Sequence, residues 1–320
     1  MKLLILTYHY IGDEDAHQRG IYPVSPQRLM RQLDALADKK WQFISDEELS
    51  IGISGKLKLP EKSCLVTFDD ALRSQYTMAL PILAQRGIPA VFFVPTQHIV
   101  QKQAYAVHKI HYLLHKIPIT ELLAEFERSF IEAVDAPFDW SGAGKITSQA
   151  IRHYRYDDAQ TACFKFFINH IMSKSAVDKV VHNLFSRFYI DEAAWCDSWY
   201  ISAEEIRRLQ THNLFSVAMH THSHSNIAQE SEEVFTNDMI ANQSVLFDLF
   251  GIKPKGIAYP FGSVTTELFE QKIKQGVESL GLAYGLTTER KINADFNNPF
   301  LLGRFSPEDI VFGKRPMLEI

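Results

Sequence analysis

Short apolar strands alternate with helical patterns through the first hundred residues, and this alternation constrains the fold more than any other feature of the sequence. Lys2–Tyr8, Cys64–Phe68 and Pro89–Pro95 are predicted as buried strands, because each is a mainly apolar run. The helix after the first strand is predicted to begin at Ser25 and Pro26, an N-cap serine followed by proline at the first helical position. Strands that alternate with helices favour parallel pairing and the α/β class.

The alternation stops in the middle of the chain and then resumes. Between about residues 101 and 198 there is almost no strand signal, and helical patterns cover residues 104–116, 120–134, 148–172 and 176–188. Four further strands are predicted after this block, at Phe215–Met219, Gly256–Tyr259, Ala283–Thr288 and Leu301–Phe305. About seven parallel strands with interleaved helices predict an irregular or incomplete (β/α) barrel with a mid-chain helical insertion.

The barrel is therefore expected to be split along the chain. Residues 1–100 form its first part, residues 101–198 the helical insertion and residues 199–320 its second part. The length of 320 residues fits one barrel of ~200–250 residues with a large insertion. Ser175 is predicted to cap the last helix of the insertion, and residues 266–280 are predicted to form one helix.

Composition excludes several classes of protein. Lys and Arg number 33 and Asp and Glu 38, a net charge of −5, which does not favour a nucleic-acid partner. No run approaches the ~20 apolar residues of a transmembrane helix. The apolar run Leu3–Leu6 is shorter than the ~7–15 residues of a secretory signal, and three widely spaced cysteines indicate no disulfide framework. These features predict a cytoplasmic protein.

Polar residues follow the predicted strands at the end where a barrel places its active site. They are the pairs Tyr8-His9 and Asp69-Asp70, the segment His220–His224, and Tyr259. In a (β/α) barrel the side chains at the carboxyl ends of the strands surround one site. Unrelated polar residues would scatter over both strand ends and the helix faces. The shared position therefore indicates a functional site.

The residue types in this set suit metal-assisted hydrolysis. One carboxylate of Asp69 and Asp70 can bind a metal while its neighbour acts as a base, although such a pair can also cap a helix. His220, His222 and His224 fall within five residues, and His220 and His224 are spaced i and i+4. Two histidines and a carboxylate suit Zn²⁺, Ni²⁺ or Co²⁺ and leave positions open for water and substrate. A solvated polar loop is the alternative for the histidines.

Two motifs carry a resemblance to a known family. The segment TFDD at 67–70 resembles the first motif of the polysaccharide deacetylases, the NodB-homology or carbohydrate esterase family 4 enzymes, and HTHSH at 220–224 resembles their second, H-[ST]-x-x-H. The order of the motifs and their flanking segments agree over roughly 1–100 and 199–305, leaving the insertion unmatched. The resemblance implies that Asp70, His220 and His224 ligate a divalent metal, commonly zinc, and that Asp69 is the general base. It implies no ligand role for His222.

Two further family motifs differ here. The third motif often has an Arg before its proline, but this chain has Tyr259-Pro260-Phe261, so Arg304 is the candidate to orient the base, with a surface salt bridge as the alternative. The three residues 259–261 are expected to line a sugar-binding groove, unless Tyr-Pro is only a rigid turn. The usual C-terminal Leu-x-His is absent. Tyr8-His9 resembles the branch containing the poly-N-acetylglucosamine deacetylases, which implies His9 as general acid.

The predicted function is metal-dependent removal of an N-acetyl group from an amino sugar. The substrate is expected to be a surface polysaccharide or its lipid- or nucleotide-linked precursor. Three alternatives remain: hydrolysis of another amide or formamide, a non-catalytic carbohydrate-binding protein, and a glycosidase using Asp69 and Asp70. The last is disfavoured, because adjacent residues rarely hold carboxyl groups ~5–10 Å apart across a glycosidic bond. The oligomeric state is not predicted.

Overall fold

The computed structural model describes residues 1–16, 19–135, 138, 143–189, 191–262 and 264–318. It divides into two compact units. The first, here the barrel unit, consists of Met1–Asp13, Pro23–Gln101 and Asp197–Ile320. The second, here the helical unit, consists of Glu14–Tyr22 and Lys102–Cys196. The sequence placed residues 14–22 in the barrel, whereas the structure groups them with the helices of the insertion.

The barrel unit is built on one curled sheet, and every strand pair in the described part of the chain is parallel. Its strands are β1 (Lys2–Tyr8), β2 (Gln42–Phe43), β3 (Lys62–Asp69), β4 (Ala90–Val94), β5 (Phe215–Met219), β6 (Gly256–Ala258) and β7 (Tyr284–Leu286). Their order is β1-β3-β4-β5-β6-β7, with β2 paired to β3. This half-barrel confirms the predicted α/β class.

The predicted strand at Leu301–Phe305 is not continuous. A 3₁₀ turn covers Pro299–Leu301, and isolated parallel bridges then join Leu302 to β7 and Phe305 to β1. Between them, the Asn293 side chain accepts a hydrogen bond from the Gly303 N–H and donates one to the Gly303 carbonyl. A side chain therefore satisfies the backbone groups that a strand would use in a ladder. The segment still links the two edge strands.

The helices lie between and after the strands. The first are α1 (Pro26–Asp38), α2 (Asp46–Ile53), α3 (Leu80–Arg86) and α4 (Gln97–Gln101). The chain between β4 and β5 continues with α5 (Ala106–Lys116), α6 (Ile119–Val134), α7 (Ala143–His153), α8 (Ala159–Phe166), α9 (Lys174–Phe188), α10 (Glu192–Trp199) and α11 (Ala203–Gln210). The last are α12 (Glu232–Phe250), α13 (Thr266–Lys272) and α14 (Lys274–Ser279). A π-helical turn, Gln75–Ala79, precedes α3.

Capping side chains explain where the helices differ from prediction. Ser25 caps α1 as predicted, by accepting a hydrogen bond from the Arg28 N–H. The single helix predicted at 148–172 is broken, because Asp158 caps a new helix, α8. Ser173, rather than Ser175, caps α9. The predicted helix 266–280 is likewise two helices, which meet at Ile273.

The strands of the barrel unit are buried on both faces. Leu4, Leu6 and Val66 pack with the helices in the larger core cluster, whereas Leu3 and Ile5 belong to a second cluster formed with other strands. This alternation gives each strand one face toward the helices and one toward the interior of the half-barrel. No described helix is both long enough and apolar enough to span a bilayer.

Candidate active site

The interior face of the half-barrel continues into the site. Thr7 and His9 follow Ile5 at steps of two along the first strand, Asp69 follows Leu65 on β3 in the same way, and His220 follows Ala218. Side chains two residues apart point to the same face of a strand. The strand period therefore brings these polar side chains to one end of the interior, as the sequence predicted for strand ends.

Asp70, His220 and His224 form a group that could hold a metal ion. One ligand atom from each lies within 4.8 Å of the others. The Asp70 Oδ1 lies 3.1 Å from the Nε2 atoms of both histidines. Ligand atoms with bonds of ~2.1 Å to a tetrahedral ion would lie about 3.4 Å apart. The donor set therefore fits a divalent metal such as zinc.

Hydrogen bonds fix the orientation of His220. Its Nδ1 lies 2.7 Å from the Ala258 carbonyl oxygen, which can only accept, so Nδ1 carries a proton and Nε2 is the ring nitrogen turned toward Asp70. Its backbone N–H donates to Asn242 Oδ1 at 3.1 Å, and the Asn242 amide donates to the Val94 carbonyl and to Thr96. Asn242 is fully buried on α12. It ties the ends of β4 and β5 together behind the ligand.

Thr96, which accepts a hydrogen bond from Asn242, also contacts His222 and holds its ring away from the group formed by Asp70, His220 and His224. The His222 Nδ1 lies 2.8 Å from the Thr96 hydroxyl, and its Nε2 lies 3.4 Å from the Gln101 amide. Burial lowers the pKa of His222, with Asp238 opposing the effect. Burial also lowers the pKa of His220, but its hydrogen bond to Asp70 and the charges of Asp69 and Asp70 outweigh burial and raise it.

The loops of the site carry unusual backbone angles. Five of the nine non-glycine residues with positive φ in the described chain are here: Asp70 (76°), Ala71 (52°), Thr221 (57°), His224 (56°) and Phe261 (62°). Left-handed conformations are costly for β-branched and bulky residues, and such residues concentrate at functional sites. The backbone thus turns sharply at Asp70 and His224, two of the three residues that could hold a metal.

Asp69 is buried and paired with Arg304. The Arg304 Nη1 lies 2.8 Å from both carboxylate oxygens, and the guanidinium is itself 2% exposed. Thr7 donates its hydroxyl hydrogen to Asp69 Oδ2 at 3.3 Å. Burial would raise the pKa of Asp69, but Arg304, with His220 and His9, outweighs burial and holds this pKa below its ordinary value. The structure therefore places Arg304 against Asp69 and not on the surface.

His9 reaches the same carboxylates from the end of β1. Its Nε2 lies 3.8 Å from Asp69 Oδ2 and 3.9 Å from Asp70 Oδ2. The side chain is 46% exposed, in contrast to the buried carboxylates. His9 thus stands between the proposed base and solvent, where it can meet a substrate.

The predicted groove residues have different positions. Tyr259 is 1% exposed in the core, so its side chain lines no open surface, contrary to expectation. Its N–H donates to the Leu286 carbonyl at 3.1 Å and is committed to the sheet. Phe261 is partly exposed, and its ring centroid lies 5.2 Å from that of His224. Pro260 is buried beside it. Of the three, Phe261 is the one placed to meet a ligand.

Sequence reasoning missed the residues that support the site from behind. Thr7 bridges Arg304 and Asp69, Asn242 holds the backbone of His220, and Gln75 donates to the backbone carbonyl of Asp69. Each is a buried polar residue. A polar residue on an apolar strand or on the buried face of a helix is the available signal, but it does not reveal the partner.

A family described as polysaccharide deacetylase matches this chain over residues 56–119 and 156–285, more than half of its length. The matched ranges contain Asp69, Asp70, His220 and His224. His9 and Arg304 lie outside them.

Similar proteins include a curated relative and several solved structures. The poly-beta-1,6-N-acetyl-D-glucosamine N-deacetylase of Escherichia coli is 34% identical over 87 residues, which cover 27% of this chain and 13% of that protein. The deacetylase PplD of Streptococcus pyogenes, in complex with acetate, has a TM-score of 0.58 at 18% identity and covers 96% of this chain and 92% of its own. IcaB from Ammonifex degensii has a TM-score of 0.58 at 19% identity, and the match covers 95% of this chain and 91% of that chain. These two structures share the fold.

Proposed function

We propose, since the chain belongs to the polysaccharide deacetylase family, that it hydrolyses the N-acetyl amide of an amino sugar in a surface polysaccharide or its lipid- or nucleotide-linked precursor. One observation carries the proposal: the ligand atoms of Asp70, His220 and His224 converge next to a buried Asp69 that is paired with Arg304. This combination suits attack of water on an amide.

Asp70, His220 and His224 would hold the metal, with zinc as the proposed ion and nickel or cobalt as alternatives. A divalent metal at this position would polarise the acetamide carbonyl and lower the pKa of water. The protein supplies the orientation: Ala258 fixes the ring of His220, and Asn242 fixes its backbone. Ligands held in this way need little rearrangement during the reaction.

Asp69 would act as general base and His9 as general acid. Arg304 keeps Asp69 ionised, so its carboxylate can take a proton from the attacking water. His9 would give a proton to the departing sugar amine, which is a poor leaving group as an anion. Its Nε2 lies 3.8 Å from Asp69 Oδ2, which supports a role for both side chains at one amide bond.

The groove and the cellular location extend the proposal. Phe261 can offer its ring to a sugar face, with Pro260 shaping the turn that carries it. The cytoplasmic location expected from the sequence remains a prediction, and it favours a carrier-linked precursor over a finished polymer. Fractionation of cells that produce a C-terminally tagged chain tests the location.

Acetate release is the direct test of the function. Purified protein is incubated with N-acetylglucosamine oligosaccharides, before and after removal of metal by a chelator. We expect acetate release from the untreated protein, its loss with the metal, and its recovery when zinc is added. Acetate release that persists after elemental analysis shows no metal would contradict the metal part of the proposal.

Other substrates separate the remaining alternatives. Turnover of a formamide or a non-sugar amide, with no release from N-acetylhexosamines, would point to a different amidase. Binding of the oligosaccharides without turnover would point to a non-catalytic relative. Cleavage between sugars would point to a glycosidase.

A further inference from the structure

We propose that Gln75 is a positioning residue for His9, a role that rests on the function proposed above. Gln75 is fully buried and opens the π-helical turn Gln75–Ala79. Its Nε2 donates to two backbone carbonyls, that of His9 at 3.0 Å and that of Asp69 at 2.6 Å. One side chain therefore joins the backbone of the proposed acid to that of the proposed base.

The strand register shows why such a connection is needed. The ladder between β1 and β3 ends at the pair Tyr8 and Phe68. His9 and Asp69 would form the next pair, but β1 ends before His9. The two amide hydrogens of Gln75 bond to the carbonyl oxygens of His9 and Asp69, one in each of these two segments. Gln75 thus extends the connection between the strands by one residue, to where the catalytic side chains begin.

The orientation of the Gln75 amide is unambiguous. Both partners are carbonyl oxygens, which only accept hydrogen bonds, so the NH₂ group faces them. The Oε1 atom has no hydrogen-bond partner within the described residues. A buried acceptor without a donor costs free energy. The described hydrogen bonds of this side chain are therefore its two donor contacts.

His9 depends on this contact more than Asp69 does. Asp69 is also held by Arg304 and Thr7 through its side chain and by pairing with Phe93 on β4. The His9 side chain is half-exposed, and its contacts with the carboxylates are 3.8 and 3.9 Å long. Loss of the Gln75 donors should consequently displace His9 and leave the base in place.

A comparison of two substrates isolates the effect on the acid. Amide hydrolysis needs a proton for the leaving amine, whereas an aryl acetate releases a stable phenolate and does not. We would measure kcat and KM for an N-acetylglucosamine oligosaccharide and for 4-nitrophenyl acetate with Gln75→Met, which keeps the side-chain volume but removes the donors. His9→Ala serves as the reference for loss of the acid.

Gln32→Met is the matched control. Gln32 is also fully buried, and its Nε2 donates to two backbone carbonyls, those of Pro307 at 2.7 Å and Val311 at 3.0 Å. Both variants lose two amide donors to backbone carbonyls, and Gln32→Met also removes the acceptor of the Tyr8 hydroxyl at 3.0 Å. Gln32 does not contact His9 or Asp69 in the described hydrogen bonds. We expect Gln32→Met to lower stability and to leave the ratio of amide to ester turnover unchanged.

For Gln75→Met we expect amide kcat to fall roughly 10- to 100-fold with KM nearly unchanged, and ester kcat to change less than about threefold. The ratio of amide turnover to ester turnover does not depend on how much protein is folded, because the same molecules hydrolyse both substrates. Gln75→Asn, which keeps a donor but is too short to span both carbonyls, should lower the ratio less. An unchanged ratio in Gln75→Met, with His9→Ala lowering it, would overturn the role of Gln75 alone. An unchanged ratio in His9→Ala, or a wild type inactive on amides, would instead overturn the proposed function.

Discussion

Asp69 and Asp70 are adjacent in the chain but have different surroundings, because β3 ends between them. Asp69 still follows the strand period and faces the interior, where Arg304 neutralises its charge. Asp70 has a φ of 76° and turns its carboxylate toward the two histidines. A single change of backbone direction thus gives two neighbouring carboxylates different partners.

Substitutions at the two carboxylates should separate their roles. Asp69→Asn should retain the metal and lose turnover by at least about 100-fold, because the amide cannot accept the proton. Asp70→Ala and His220→Ala should lose the metal, since each removes one of three donors. Elemental analysis measures the metal, and acetate release measures turnover. Full activity of Asp69→Asn would show that another group is the base.

Loss of Arg304 should destabilise the protein through Asp69. Arg304→Met leaves a buried carboxylate without its partner and should cost about 3–5 kcal/mol in the free energy of unfolding. Arg304→Lys keeps the charge and should cost less. Urea unfolding at pH 7 measures both variants.

The sign of the pH dependence follows from the lowered pKa of Asp69. Its pairing contributes stability above the unfolded pKa of ~3.9, and this contribution is lost as pH falls through the lower folded pKa. The difference in the free energy of unfolding between wild type and Arg304→Met should therefore be largest at neutral pH and shrink below about pH 4. A difference that stays constant through this range would argue against an ionised Asp69.

Helix ends in this chain are set by individual side chains. Helix α2 is an example, in which Ser45 accepts from the Glu48 N–H while Glu48 accepts from the Ser45 N–H. Ser45→Ala should lower the free energy of unfolding by about 1 kcal/mol, because it leaves an N-terminal N–H of the helix unsatisfied. Thermal or urea unfolding measures the change.

Ser50, in the same helix, provides the comparison. Ser50 lies in the interior of α2, and its hydroxyl donates to the carbonyl of Asp46, the first residue of the helix. Ser50→Ala should be neutral or slightly stabilising, because alanine has the higher helix propensity and no capping bond is lost. Equal losses for the two variants would show that the cap contributes nothing specific.

The elements were predictable where the local pattern decides them. Apolar runs predicted β1, β4 and β5, and the N-cap Ser25 predicted the start of α1. The breaks near Asp158 and Ile273 were not predictable, because apolar residues of helical spacing run through both. At Asp158 a capping side chain competes with a continuous amphipathic face, whereas α13 and α14 meet at Ile273 without a capping side chain.

The helical unit should respond to pH through His170. Burial, with the nearby charge of His153, lowers the pKa of His170 from 6.5 to about 4. A lowered histidine pKa means that stability is full above about pH 6.5 and falls as pH drops toward 4, because the unfolded chain binds the proton first. We expect a loss of roughly 1–2 kcal/mol, allowing for the partial exposure of the ring.

Hydrogen exchange can localise this effect. Between pH 7 and pH 5, corrected for the intrinsic rate, amide protection in α8 should fall more than protection in β3. His170→Asn removes the titrating group and should abolish the difference. Equal changes in the two elements, or persistence of the effect in the variant, would assign it to other groups.

Sequence motifs indicated Asp69, Asp70, His220 and His224, but the rest of the site depends on long-range closure of the barrel. Arg304 meets Asp69 only because residues 302–305 run between β7 and β1. The prediction that Tyr259 lines a groove was wrong, because this aromatic residue at a strand end faces the core. Tyr259 follows Ile257 at a step of two and belongs to the same helix-facing core cluster, so the strand period accounts for its burial.

The two units are completed at different times during synthesis on the ribosome. The helical unit is complete in the chain at Cys196, including its early segment Glu14–Tyr22. The barrel unit then has only β1 to β4, and it still requires Arg304 and Phe305 to join its edges. During synthesis, the helical unit can therefore fold first, while the edge of β4 that pairs with β5 remains unpaired. Translation speed between these two strands would set how long that edge is exposed to misassembly.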